Sequence, residues 1–361
     1  MIYLDYQATT PLAPESRDAM LRWLDGPEGV GFGNPHSPHR YGRQAAAAVE
    51  LARDQVAALF PPGGQVIFTG SATEALNIVM RGCQPVLAGR GIAVSAIEHA
   101  AVWDTARSMA NAFHAIPVDD AGLIASDAPI PADVGLVAVM QVNNEIGTIQ
   151  PVAEIARAAK AGGALFLCDA VQAAGRMPVA MADCIAISAH KLHGPKGIGA
   201  LWFRDGIELA PLITGGGQEK GLRSGTLSPA LCAGFGAAAK LAVERTEPDG
   251  QHVEALWTRA LELFDGWTIN GSPTARWHGN LNLRRTGLDV ARLMSEVRDV
   301  AFSAGSACAS GSGKPSRVLQ AIGLNDKDVK TSIRLGFGRY TGMQDLESAA
   351  AAINAAARAQ G

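Results

Sequence analysis

The stretch CIAISAHKLHGPKGIGALWF, Cys184 to Phe203, decides the architecture. Two apolar runs, Cys184–Ser188 and Gly199–Phe203, flank a connection too short for a crossover helix, so the second run should return antiparallel to the first. Five more apolar runs precede them, at Val66–Thr69, Ile92–Ile97, Ala115–Val118, Val134–Val142 and Ala164–Cys168. Helix-length segments such as Thr73–Gly82, Ala100–Asn111 and Pro151–Ala161 separate most of these runs. Strands that are apolar throughout and separated by helices predict a parallel sheet covered on both faces. The expected fold is α/β, with a seven-stranded, mainly parallel sheet in a large doubly wound domain.

Long helices are expected on either side of this region. Tyr41–Phe60 reads as an amphipathic helix stopped by Pro61-Pro62, and Ser228–Glu247 as an alanine-rich one. The charged stretch Arg245–Gln251, with Pro248-Asp249-Gly250, predicts a boundary. Residues 1–250 then form the large domain and 251–361 a smaller C-terminal α/β domain, with an N-terminal arm, 1–13, packed on the latter.

Composition narrows the class. The chain has 361 residues, 48% hydrophobic and 18% charged, with 41 glycines, which suits a soluble α/β enzyme. A formal charge of −3 argues against a dedicated nucleic-acid binder. The 5 cysteines are scattered without zinc-site or disulfide-scaffold spacing. The acidic start MIYLDYQATTPLAPE lacks the apolar core of a signal peptide, and no run is long enough to span a membrane. A cytoplasmic protein is expected.

Lys191 sits between an apolar strand and a glycine-rich turn, beside Ser188, His190 and His193. A lysine desolvated there loses its proton more readily and becomes a nucleophilic amine, suited to a Schiff base with pyridoxal phosphate. A strand end closed by a Gly-Pro turn, with an incidental lysine, describes the segment equally well. Other polar residues follow the same pattern at strand ends: Ser71-Ala72-Thr73-Glu74, Glu98-His99, Asn143-Asn144-Glu145, and Asp169 with Gln172. Ligands of open α/β sheets bind at such ends. Singly, Ser71 and Glu74 read as a capping box, His99 as a satisfied core histidine, Asn144 as a turn residue and Asp169 as a cap or half of an ion pair. Together they supply a phosphate site at a helix N-terminus, a carboxylate for a ring nitrogen and an imidazole to stack on the ring. Cys308 lies in the small-residue stretch Ser303–Gly313, with no core to join, whereas Cys83, Cys168, Cys184 and Cys232 lie in or beside apolar runs and read as inert buried thiols.

With these residues assembled, the chain closely resembles the cysteine desulfurases, in the class V aminotransferase group of fold-type-I pyridoxal phosphate enzymes. The resemblance runs through YLDYQATTP (3–11), GNPHSPH (33–39), ATE (72–74), EHAAV (98–102), NNEIG (143–147) and DAVQAAGRMP (169–178). It continues through SAHKLHGPKGIGAL (188–201), GGGQEKGLRSGTLS (215–228), SAGSACASG (303–311), PSRVLQAIGL (315–324) and SIRLGFGRYT (332–341). It implies that Lys191 forms the Schiff base and acts as base, that Cys308 becomes the persulfide, and that His99 stacks on the cofactor and moves protons. It implies cofactor contacts from Ala72 and Thr73 (phosphate turn), Asn144 (ring hydroxyl side), Asp169 (pyridinium nitrogen), Gln172 (phenolate oxygen), and Ser188 and His190 (phosphate). Thr226 corresponds to a residue reaching the neighbouring subunit's cofactor, which implies a homodimer with shared active sites. Arg334 corresponds to the clamp on the substrate carboxylate, beside Asn144.

The implied activity is removal of sulfur from L-cysteine to give L-alanine and a persulfide on Cys308, for iron–sulfur cluster assembly or another sulfur-transfer pathway, with a sulfur-acceptor scaffold protein as partner. No metal ligand set is expected. Three departures from the family pattern stand out: Gly70-Ser71 in reversed order, Tyr6-Gln7 where asparagine is common, and Gly336 in place of a frequent serine. A selenocysteine lyase or cysteine-sulfinate desulfinase would share nearly every residue. An ordinary aminotransferase would need no Cys308. A nucleotide-binding regulatory module lacks the expected glycine spacing.

Overall fold

The computed structural model of the chain describes residues 1–305 and 315–360. A two-residue strand, β1 (Ile2–Tyr3), comes first. The main sheet is built from β2 (Gly64–Thr69), β3 (Gly91–Ser95), β4 (Phe113–Ile116), β5 (Val134–Met140), β6 (Leu165–Asp169), β7 (Cys184–Ser188) and β8 (Gly199–Arg204). Its seven strands run in the order β2-β8-β7-β6-β5-β3-β4. β8 is antiparallel to both of its neighbours and the other pairings are parallel, as the short connection after β7 predicts.

Side chains that alternate along each strand feed two separate cores. Phe68, Val137, Val139, Phe166 and Ile187 pack with helices Arg40–Ala57 and Pro229–Glu244. Ile67, Leu136, Ala138, Leu167 and Leu201 pack with helices Ala72–Gly82 and Ala100–Ser108 on the opposite face. Burial on both faces explains why these strands read as unbroken apolar runs rather than alternating ones.

A second sheet gathers the C-terminal strands β9 (Thr268–Ile269), β10 (Asn280–Arg284), β12 (Ser303–Ala304) and β13 (Ser332–Gly336), in the order β12-β13-β10-β9; β11 (Val300–Ala301) pairs in parallel with β1. Its core includes Leu281, Leu283, Ile333 and Leu335, backed by helices Thr246–Leu263 and Met343–Arg358. Leu4 is wholly buried in that core, so the start of the chain packs with its end.

The stretch expected to mark the boundary is helical: Pro248-Asp249-Gly250 lies inside helix Thr246–Leu263, and the helical path breaks at Arg245. Proline in a first helical turn gives up no intrahelical hydrogen bond. Asp249 anchors this turn by pairing with Arg245 at 3.1 Å and Arg339 at 2.7 Å. Among the described residues no helix is long and apolar enough to cross a membrane.

Candidate active site

The carboxyl ends of β2, β3, β5, β6 and β7 meet at one edge of the main sheet, where a cavity of about 360 Å³ opens. That volume falls in the range of small-molecule sites. Ala72, Thr73, His99 and Asn144 line it, as do Asp169, Gln172, Ser188, His190, Lys191 and Arg334. Ten of the residues singled out in the sequence therefore converge on one space. Thr226 does not: it is exposed, in the segment before helix Pro229–Glu244, and is no part of the cavity wall. Cys308 lies outside the described residues.

Each wall has a local cause. Helix Ala72–Gly82 opens at the cavity, capped by Ser71, whose Oγ accepts from the Glu74 N–H at 3.2 Å. Half of the expected capping box forms; Glu74 Oε2 accepts from the Gly70 N–H at 2.8 Å and its other oxygen pairs with Arg223 at 2.7 Å. The N–H groups of Ala72 and Thr73 have no acceptor within their own helix and, with the helix dipole, suit an anion. This turn lies directly on β8 because residue 199 is glycine. A Cβ there would stand 2.6 Å from the Ser71 carbonyl carbon and 2.9 Å from the Ala72 nitrogen.

Asp169 ends β6 with little exposure, and one oxygen accepts from the Val171 N–H at 3.0 Å. Burial pushes its carboxyl above the usual range, while the Val171 bond and the charges of His99 and Lys191 pull it back. His99 caps helix Ala100–Ser108, its Nδ1 accepting from the Ala101 N–H at 3.1 Å. Burial lowers the imidazole pKa, opposed by Asp169 and reinforced by Lys191 and Arg317, so the ring favours its neutral form. His190 is pushed down to about 4 by burial and then by Lys191 and Lys196; its Nδ1 sits 3.1 Å from Thr9 Oγ1.

Lys191 follows β7 in a single turn of 3-10 helix, and its Nζ donates to the carbonyls of Gln7 at 2.6 Å and Ala8 at 2.7 Å. Gln172 Nε2 donates to the same Gln7 carbonyl at 3.0 Å. Arg334, on β13, is almost fully buried; it donates to the Asn144 carbonyl at 3.0 Å and pairs with Asp5 at 2.7 Å. Its Nε is buried without a partner among the described residues.

The N-terminal arm is the contributor that residue-by-residue reading missed. Gln7 and Ala8 form part of the cavity wall, and Asp5 sets Arg334. The motif YLDYQATTP marked the segment, but nothing in it shows that backbone carbonyls are the working atoms. The sequence marks Glu98 only as a polar strand-end residue with no assigned role, and it does not single out Arg317. Glu98 is buried beside Asp169, and Arg317 bonds the Ala96 and Glu98 carbonyls with its guanidinium 4.0 Å from the Trp103 ring centre.

The four described cysteines are all buried, and burial raises each thiol: Cys83 and Cys232 up to about 12, Cys168 and Cys184 well above the ordinary value. They are inert by environment, as their apolar settings predicted.

The donor set fits pyridoxal phosphate. A carboxylate, an imidazole and an amine reach one small cavity, and a helix N-terminus with Ser188 and His190 beside it suits the phosphate.

Comparison with known proteins agrees with this assignment. The class-V aminotransferase family matches residues 2–348. A mitochondrial cysteine desulfurase of Arthroderma benhamiae is 41% identical, over 96% of this chain and 72% of that protein. Among solved structures, a NifS-like protein superposes with a TM-score of 0.90 at 29% identity, covering 98% of both chains. A structure described as SspA in complex with cysteine gives 0.82 at 31% identity, over 95% of this chain and 100% of that one. The chain belongs to the class-V aminotransferase family, fold-type-I enzymes that depend on pyridoxal phosphate, and within it to the cysteine desulfurases.

Proposed function

We propose that this protein is a cysteine desulfurase, which takes sulfur from L-cysteine, releases L-alanine and leaves a persulfide on Cys308. The observation that carries this reading is the meeting of Lys191, His99 and Asp169 in one cavity at the carboxyl edge of the sheet. Support comes from relatives that bear the name and from a related structure described as holding cysteine.

Pyridoxal phosphate, when bound, supplies an electron sink that makes the substrate Cα–H acidic and the Cβ–S bond labile. The protein's residues do the rest. Lys191 would hold the cofactor through its amine and, once released, would take the substrate Cα proton at Nζ. The Asp169 carboxylate would keep the ring nitrogen protonated, and His99 would stack on the ring. Ala72, Thr73, Ser188 and His190 would bind the phosphate; Gln172 and Asn144 would serve the ring hydroxyl side. Arg334 takes the substrate carboxylate. The Cys308 thiolate attacks the substrate sulfur, forming the S–S bond as the Cβ–S bond breaks, and the three-carbon remainder is protonated to L-alanine. Sulfur passes from substrate to enzyme, so no outside oxidant is needed.

The chain is read as two domains, 1–250 and 251–361, with the arm 1–13 on the smaller one, working as a cytoplasmic homodimer. A scaffold protein would receive the sulfur. The test is to load the protein with pyridoxal phosphate, add L-cysteine, and measure L-alanine and the mass of the Cys308 peptide. One added sulfur with stoichiometric alanine is expected. Amino-group transfer to pyruvate with no added sulfur would overturn the reading.

A further inference from the structure

We propose, resting on the functional reading above, that Arg176 is a positioning residue that fixes the amide of Gln172 with its oxygen turned away from the cofactor and its NH2 toward the cavity. Arg176 is half-buried, four residues after Gln172. The turn from Ala170 to Met177 is wound tightly, with Ala174 N–H bonded to Ala170 O at 2.9 Å and Met177 N–H to Ala173 O at 3.1 Å. That winding brings the two side chains together. Arg176 Nη1 donates to Gln172 Oε1 and, at 2.9 Å, to the Gln172 carbonyl; Nη2 donates to the Lys191 carbonyl at 3.0 Å.

A guanidinium has donors and no acceptor, so the atom of Gln172 facing it must be the oxygen. The NH2 is thereby turned the other way, where it meets the Gln7 carbonyl that also accepts from Lys191. Without Arg176 only the Gln7 carbonyl sets the amide, which is then freer to flip, because its two ends are nearly equal in shape and flipping exchanges donor for acceptor. The placement is costly. Among the described residues no carboxylate lies within ion-pair distance of Arg176, and burial draws its pKa down to about 10. Packing alone would be served as well by an uncharged side chain. The same guanidinium spans Gln172 and the backbone of Lys191, so it couples the turn after β6 to the turn after β7.

The test is a pH titration of the visible absorbance of the pyridoxal phosphate-loaded protein. An NH2 donated to the ring oxygen withdraws negative charge that otherwise favours protonation of the lysine-linked nitrogen. Arg176→Met should therefore raise the midpoint by about one pH unit. Gln172→Met should give the same shift, and the double variant no further one, as expected for residues acting as a unit. An unchanged midpoint in Arg176→Met, or additive shifts in the double variant, would overturn the proposal. If circular dichroism shows Arg176→Met unfolded, Arg176→Lys carries the test, since it keeps the charge and loses the fork. A smaller upward shift is then expected, and an unmoved midpoint again overturns the proposal. A wild-type protein that takes up no pyridoxal phosphate would instead defeat the reading of the site, before any variant is made.

Discussion

Arg334 Nη2 lies 2.7 Å from Asp5 Oδ1, a pair that joins the N-terminal arm to β13 across 329 residues of chain. The arginine side chain is 1% exposed, so its charge has little water to fall back on. Asp5 therefore holds the guanidinium in place without itself forming part of the cavity wall.

Asp5→Ala leaves that guanidinium buried without its counter-charge. Breaking such a pair typically costs about 3–5 kcal/mol, so a stability loss near the lower bound is expected in a denaturant titration. The KM for L-cysteine should rise by about tenfold, roughly 1.4 kcal/mol of binding, with a smaller change in kcat. An unchanged KM would show that Arg334 does not hold the substrate.

Cys308→Ala removes the proposed sulfur acceptor and leaves every described residue of the cavity wall in place. The loaded variant should keep its visible absorbance and its affinity for cofactor while sulfide release falls to background. Full sulfide release from this variant would refute the thiol's role. Lys191→Ala is the opposite case, expected to lose both the absorbance and the turnover.

Glu98 gives the stability a pH dependence. Burial, reinforced by Asp169, pushes its carboxyl from 4.5 up to about 8. The folded protein thus keeps a proton that the unfolded chain releases above 4.5, so this contribution is fully present below that value and is lost as pH rises toward 8. Its Oε1 accepts from Ser95 Oγ and the Met140 N–H, both at 2.7 Å, while Oε2 is buried without a partner among the described residues. Glu98→Gln reproduces the neutral acid in shape. Thermal melts at pH 5 and pH 8 should show a flatter pH dependence for the variant; identical slopes would exclude Glu98 as their source.

Gly336→Ser tests a contact that spans the chain. A Cβ at residue 336 would stand 1.7 Å from Gln7 Oε1, so the serine variant must displace the glutamine. Overpacking of this kind costs about 1–3 kcal/mol. Gln7→Asn in the same chain should recover most of it, because the shorter side chain withdraws from the site. Additive losses in the double variant, read from denaturation midpoints, would show the two positions to be independent.

Much of this architecture is legible in the sequence. Strands buried on both faces have no polar side to show, so most of the main sheet stands out as apolar runs, and the short link after β7 fixes the direction of β8; the edge strand β4, Phe113–Ile116, carries His114 and begins two residues before the expected run. Lys191, Asp169 and His99 were visible because polar residues at the ends of such strands are conspicuous. The helical path of Pro248-Asp249-Gly250 is not legible, since turn-forming residues in a first helical turn look the same in sequence as a linker.

The sequence by itself determined the strand pattern, the family and most of the residue types around the cavity, because these depend on local periodicity and short motifs. Only the tertiary structure decided what the N-terminal arm does. The carbonyls of Gln7 and Ala8 on Lys191, the Asp5 carboxylate on Arg334 and the Arg176 brace on Gln172 belong to through-space relations between distant or backbone atoms. It also joined two apparently separate departures, Gln7 and Gly336, into one contact. A carbonyl oxygen is the same atom at every position in the sequence; where the fold aims it gives it a role.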